Sequence, residues 1–317
     1  MKILIAGGAG YIGSVLVPKL IEIGHAVNVI DLFWFGNHLP QETGIIHKDI
    51  FKLSEKDVEG HDVVIFLAGL SNDPMAEFDP SMNFIFNASA PAYLAYISKR
   101  AGAKRFIYAG SCSVYGFTEN KLYDEKCKTE SDYPYGISKL QGERAVLQLA
   151  SKNFSTICLR QGTVSGYSPR MRLDLVVNTM FKSAMMTGKI TVNNPKIWRP
   201  VLAIQDAAQA YIKSVESKKS VSGIFNVASG NFTVGEIAKK VRKELKKKLK
   251  LDVKIENKKV KDMRNYKVSV SKAKKNLGFK QKFTIEKIVD ELVKNYPLFK
   301  DFGNENYYNI EVFKKLK

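Results

Sequence analysis

The chain has 317 residues, enough to bury a substantial core in one large or two medium domains. Its 45% hydrophobic and 26% charged content is ordinary for a soluble enzyme, and no apolar run is long enough to span a bilayer. The net charge of +19 invites a polyanion, but the lysines crowd around residues 242–261 without interleaved rings to stack bases, so nucleic acid is not the expected partner.

Residues 1–6 (MKILIA) form an apolar run suited to one buried strand, too short for a signal peptide. The run breaks into Gly7, Gly8, Gly10 and Gly13, and a helical pattern follows over 14–23. A strand, a glycine turn and a helix make the front half of a dinucleotide-binding unit. Gly7 supplies the tight turn, Gly10 lets backbone approach a pyrophosphate, and Gly13 lets the helix pack close. Tyr11 and Ile12 stand at the helix start, where free N–H groups and the helix dipole favour phosphate. The second strand, AVNVID, ends in Asp31, about twenty residues beyond the turn, where a carboxylate can bind ribose hydroxyls and repel a 2′-phosphate. NAD is therefore the expected cofactor, and NADP is not.

The stretch 44–50 (GIIHKDI) reads as a third strand, with Asp49 and Ile50 placed for the adenine. Residues 52–59 fit a short helix. The run 62–69 (DVVIFLAG) is a strand buried on both faces, with Leu67, Ala68 and Gly69 at its end beside the ligand. A long helical pattern over 81–102 contains Pro91, which should bend it. A fifth strand (104–111), a helix (135–151) and a sixth strand with its exit loop (154–166) complete a repeated strand–helix alternation. That rhythm demands a parallel sheet with helices on both faces, an α/β fold. After Gly166 the rhythm fails and a smaller α/β lobe is expected. We divide the chain at 1–166 and 167–317, with segments near 199–229 free to return to the first part. Residues 299–317 have no assignment.

Cys112, Cys127 and Cys158 are odd in number and widely spaced, which reads as reduced thiols in a cytoplasmic protein. The four histidines show no ligand spacing, so no metal is expected.

The chemistry points to Tyr135 and Lys139, four residues apart on one helical face. A free tyrosine, with a pKa near ~10, is a poor base at neutral pH. A nearby ammonium and the positive ring of an oxidised nicotinamide favour phenolate, which can take a proton from an alcohol as hydride leaves its carbon. Ser111, at the end of the fifth strand in AGSCSVYG, can hydrogen-bond and polarise the substrate oxygen, with Ser113 as a second candidate. Cys112 reads as packing.

GGAGYIG, Asp31, Asp49, LAG, SCSVYG and YGISK in this order resemble the extended short-chain dehydrogenase/reductase family, and within it the NAD-dependent nucleotide-sugar epimerases and dehydratases. The resemblance runs from Met1 to about Leu292. It implies a Rossmann-type doubly wound parallel sheet, a smaller C-terminal lobe closing on a nucleoside-diphosphate sugar, and a homodimer. It also implies that Asn87 orders the loop near the cofactor and that Arg264 and Arg199 bind the substrate nucleotide. Asp206 would be structural. Ser71 and Asn72, in SNDPMAEFDP, replace the family's usual run beside the sugar. The segment SPRMRLDLVVN resembles a subgroup that oxidises or reduces C4 of higher or deoxy sugars, with Arg170, Arg172 and Asn178 facing the substrate. The family's 4,6-dehydratases carry an Asp–Glu pair where this chain has Cys112 and Ser113, so dehydration is not expected. The leading reading is a 4-epimerase. The alternatives are a 4-keto-sugar reductase or C4 dehydrogenase and, in another class, a non-catalytic dinucleotide- or nucleic-acid-binding protein.

Overall fold

The computed structural model describes residues 1–258 and 265–316. The first apolar run is the strand Lys2–Ala6, near the middle of a seven-stranded sheet. Across the sheet the order is Gly223–Val227, Ser155–Gln161, Arg105–Ser111, Val63–Phe66, Lys2–Ala6, Ala26–Asp31, Gly44–His47. Every neighbouring pair is parallel. The chain winds outward from Lys2–Ala6 and then returns to its other side, which opens a crevice at the carboxyl ends of the strands.

Two cores follow from this winding. One face packs Val15, Leu16 and Leu20 of the helix Gly13–Glu22 near Ala207 and Tyr211 of the helix Ile204–Glu216. The other face buries Leu94, Ala95, Tyr108 and Val146. The smaller lobe has its own core, in which the helices Val176–Thr187, Val234–Leu249 and Ile285–Asn295 bury Phe181, Val241 and Leu292. The lysine-rich helix Val234–Leu249 opens in a capping box of Thr233 and Glu236. It buries Val234, Ile237, Ala238, Val241 and Leu245, an apolar stripe at helical spacing. Much of the basic charge is therefore the outer face of an ordinary packed helix.

Three elements differ from expectation. The third strand stops at His47; Asp49 instead caps the short turn Ile50–Lys52, accepting the Phe51 N–H at 2.8 Å. The long helix around Pro91 is divided into Pro80–Phe84, a π-helical turn Ile85–Ser89, and Ala90–Arg100. Pro91 has no N–H for the carbonyl of Asn87, and the Tyr108 hydroxyl donates to that oxygen at 2.9 Å. The sixth strand splits at Gly162 into Ser155–Gln161 and Thr163–Ser165, the latter in a second sheet with Trp198–Ala203 and Gly230–Thr233. A Cβ on Gly162 would lie 2.6 Å from the Pro200 carbonyl oxygen, so glycine permits this crossing. The unassigned C-terminal stretch folds back as short turns and the helix Asn309–Lys315. Among the described residues no helix is long and apolar enough to cross a membrane.

The helix Pro134–Leu147 carries Tyr135 and Lys139 and lies close against the π turn. A Cβ on Gly142 would sit 2.1 Å from the Asn87 carbonyl oxygen and 2.7 Å from the Tyr108 hydroxyl. Gly142→Ala should therefore cost about 1–3 kcal/mol through overpacking, read as a lower denaturation midpoint; an unchanged midpoint would show that the helix stands farther off.

Candidate active site

A cleft of about 710 Å³ opens at the carboxyl ends of the central strands and continues onto the smaller lobe. At one end lies the glycine turn. Gly7 has φ +78°, and a Cβ there would meet the Ala68 amide nitrogen at 2.4 Å. The amides of Leu67 and Ala68 both donate to the Ala6 carbonyl, at 2.8 and 3.0 Å, which draws the two strand ends together. Gly10, Tyr11 and Ile12 line the cleft just ahead of the helix start, the end of the helix dipole that favours an anion.

Asp31 lines the same end. Its Oδ2 accepts the Ala9 amide at 2.9 Å and its Oδ1 the Phe33 amide at 2.8 Å, which fixes its orientation while lone pairs remain for a ligand. Burial pushes its carboxyl above the usual range, and these amide bonds oppose the shift. Asp49, Ile50, Leu67, Ala68 and Gly69 also lie on the wall. Asn87 does not; it is wholly buried behind Gly69. Its Nδ2 donates to the Leu70 carbonyl at 2.9 Å and to Asn83 at 2.8 Å, which holds the loop after Gly69.

Tyr135, Lys139, Ser111 and Ser113 converge on one stretch of the wall. Lys139 is buried; its Nζ donates to the Ala109 carbonyl at 3.2 Å and lies 5.9 Å from the Tyr135 ring centroid. Burial lowers the Lys139 ammonium to about 8. Burial also raises the Tyr135 phenol, reinforced by Asp73 and opposed by Ser111 and Arg172. Burial thus governs both groups, and the ammonium is aimed at a carbonyl. The Ser111 and Ser113 hydroxyls are 2.8 Å apart, because Ser111 caps the turn Cys112–Tyr115 and brings the second serine back beside it. Cys112 points away, donating to the Arg160 carbonyl at 3.1 Å.

Ser71, Asn72, Arg170, Arg172 and Arg199 line the cleft as well. The Arg172 fork is occupied by Asp174, through Nε at 2.9 Å and Nη2 at 2.7 Å, and Asn72 donates to the same carboxylate at 2.9 Å. Arg170 stacks 3.6 Å above the Phe35 ring centroid. Arg199 stands over Tyr266, with 5.8 Å to the ring centroid. Asn178 is off the wall and buried, bonding the Gly166 amide at 2.9 Å, the Arg172 carbonyl at 2.7 Å and the Tyr11 hydroxyl at 3.1 Å. Arg264 lies outside the described residues. Asp206 binds Ser229 at 2.6 Å and the amides of Lys282 and Phe283, a structural arrangement. No group of side chains suited to a metal occurs among the described residues.

The wall also includes Phe35, Asp174, Tyr266, Asn309 and Ile310, which sequence reasoning missed. Asp174, two residues after Arg172, carried a readable signal as its ion partner. Asn309 and Ile310 carried none, since they come from the patternless chain end.

The parallel sheet, the glycine turn and the cleft at the carboxyl ends of the strands are those of a dinucleotide-dependent enzyme. Residues 3–228 match the NAD dependent epimerase/dehydratase family, and the chain belongs to that family. It is similar to a UDP-glucose 4-epimerase of Corynebacterium glutamicum, 24% identical over 90% of this chain and 92% of that one. A UDP-glucuronic acid decarboxylase 1 of Arabidopsis thaliana is 24% identical over 93% of this chain and 70% of its own length. Among solved structures, a UDP-N-acetylglucosamine 4-epimerase from Methanobrevibacter ruminantium superposes with a TM-score of 0.82 at 25% identity, covering 93% of this chain and 98% of that one.

NAD is the cofactor of the family, and this cleft fits it. The glycine cradle, where a Cβ on Gly7 would collide with backbone, suits a pyrophosphate, and the oriented carboxylate of Asp31 suits the adenosine ribose. Gly7→Ala forces a strained left-handed alanine against Ala68. At about 1–3 kcal/mol of strain, NAD affinity should fall roughly tenfold to hundredfold in a calorimetric titration; unchanged affinity would remove this turn from the cofactor site.

Proposed function

We propose that the protein is an NAD-dependent 4-epimerase of a nucleoside-diphosphate sugar. The observation that carries this reading is the placement of Tyr135, Lys139 and Ser111 together on the wall of the cleft that begins at the glycine turn. Bound NAD supplies the acceptor, and later the donor, of the hydride at C4 of the sugar. Tyr135 takes the proton of the 4-hydroxyl and returns it. Lys139 holds a cation near the phenol and offers donors to the cofactor's ribose. Ser111, paired with Ser113, hydrogen-bonds the sugar oxygen. Arg199, beside Tyr266, is the candidate for the substrate diphosphate, with Ser71 and Asn72 toward the sugar.

Several features support an epimerase over a dehydratase. Elimination needs an acid and a base beside the tyrosine, and the two residues after Ser111 do not supply them. Burial pushes the Cys112 thiol far up and its Sγ is turned to Arg160, while Ser113 is a neutral hydroxyl paired to Ser111. The related epimerases act on UDP-sugars, and we take a UDP-hexose as the first substrate to test. We place the cofactor domain at residues 1–166 with the return of 204–227, and the substrate lobe in the remainder. A cytoplasmic homodimer through the helices Ala90–Arg100 and Pro134–Leu147 fits the outward, 51% exposed ring of Tyr96.

Incubation with UDP-glucose or UDP-N-acetylglucosamine, without added cofactor, should give the C4 epimer by NMR. Stoichiometric consumption of added NADH at 340 nm without epimerisation would replace this reading by a 4-keto reductase. Tyr135→Phe should lower turnover by about 10²–10⁴-fold while NAD affinity is unchanged. The Lys139 ammonium favours phenolate, so the rise of activity with pH should move to higher pH in Lys139→Met; a profile unmoved in that variant would exclude the electrostatic role.

A further inference from the structure

The patternless end of the chain reaches the cofactor side of the cleft. In the helix Asn309–Lys315, Phe313 is buried with Leu70 and Met75, and Ile310 packs onto the same cluster with Trp34 and Phe86. The Trp34 and Phe313 ring centroids are 6.0 Å apart. Trp34 follows Asp31 in sequence and Leu70 follows Gly69, so the helix bridges the loops leaving two cofactor-bearing strands.

Asn309, at the head of this helix, is 7% exposed and lines the cleft. Its Nδ2 donates to the Ser71 hydroxyl at 2.6 Å, and its Oδ1 accepts from Nη2 of Arg170. Arg170 is 2% exposed. Its Nε and Nη1 have no acceptor among the described residues. Idle donors on a buried guanidinium are costly, so such a group waits for an anion. The neighbouring carboxylates lie near enough to act on its charge but give it no hydrogen bond: Asp174 is held by Arg172 and Asn72, and Asp31 by the amides of Ala9 and Phe33.

The segment bearing Arg170 is fastened to the glycine turn. The Tyr11 hydroxyl donates to the Gly166 carbonyl at 2.6 Å, and the Ser168 hydroxyl donates to the Tyr11 carbonyl at 2.8 Å. Arg170 also stacks on Phe35, four residues beyond Asp31. Its surroundings are thus those of the cofactor, whereas Arg199 stands apart over Tyr266.

We infer that Arg170 binds the pyrophosphate of the dinucleotide rather than the diphosphate of the sugar nucleotide, and that Asn309 of the C-terminal helix holds it there as a clasp that slows cofactor release. This rests on the reading of the cleft as an NAD site. Such a clasp suits a reaction in which the cofactor returns to its starting state each cycle and need not leave.

The test uses the full chain with Arg170→Met, Arg170→Lys and Asn309→Ala, each checked for folding by thermal melting. Binding of NAD, adenosine and UDP is measured by calorimetry, and NAD release by stopped-flow dilution. Loss of charge-assisted hydrogen bonds worth about 1.5–3 kcal/mol predicts that Arg170→Met weakens NAD by roughly tenfold to a hundredfold and leaves adenosine and UDP unchanged. Arg170→Lys should fall between wild type and Arg170→Met. Asn309→Ala should speed NAD release several-fold, and it keeps the clasp testable if Arg170→Met does not fold. Weakened UDP binding with NAD unchanged would make Arg170 a substrate ligand, and unchanged NAD affinity and release in all variants would remove the clasp. A wild-type protein that binds neither NAD nor adenosine would instead overturn the cofactor reading, and the clasp with it.

Discussion

The buried ion pair between Glu143 and Arg160 underlies the working geometry of this molecule. Its contacts are 2.6 and 2.8 Å, with both side chains almost wholly buried. Such a pair contributes little net stability, because desolvation offsets the attraction, but its two-pronged geometry tolerates little displacement. Glu143 lies four residues beyond Lys139 and eight beyond Tyr135, on the same side of one helix. Fixing Glu143 to the strand Ser155–Gln161 therefore sets the depth at which the ammonium and the phenol enter the cleft. Tyr115 and Cys158 extend the network, bonding Arg160 at 2.8 Å and Glu143 at 3.1 Å.

The same helix depends on a defect in its neighbour. Pro91 frees the Asn87 carbonyl, the π turn leaves it available, and Tyr108 takes it. Gly142, lacking a side chain, allows the helix Pro134–Leu147 to come up against that carbonyl. Asn87 in turn uses its side chain to hold the loop after Gly69. One buried asparagine thereby couples the helix Pro134–Leu147 to the loop after Gly69, though it lies behind the wall. Asn178 acts similarly elsewhere, tying residues 166–172 to Tyr11.

Burial acts in opposite directions on the two central groups, lowering the Lys139 ammonium and raising the Tyr135 phenol, since in each case the charged form is the one disfavoured. At about 8 the lysine still carries its proton at neutral pH, whereas the phenol is held neutral. A further positive charge brought near the phenol would favour its ionised form. The abundant surface lysines are remote from that balance; those of the helix Val234–Leu249 lie on the side opposite its buried stripe.

Much of this was readable without coordinates, because local chemistry leaves local traces. A left-handed turn needs glycine, a buried parallel strand needs an unbroken apolar run, and a shared helical face needs a spacing of four. Those rules placed the glycine turn, the alternating sheet, Asp31, and the pair Tyr135 and Lys139. Other features depend on residues far apart in the chain meeting in space. Arg172 and Arg170 look equivalent in the sequence, but a carboxylate two residues away occupies one fork and not the other. Asn87 and Asn178 are buried supports because whole elements close over them. The helix at 309–315 shows no periodicity because it is held by contacts with Leu70, Met75 and Trp34, more than two hundred residues earlier. Periodicity and spacing record what a segment does with its own neighbours; which cation stays idle, and what closes the far end of the cleft, is settled when the chain's two ends come together.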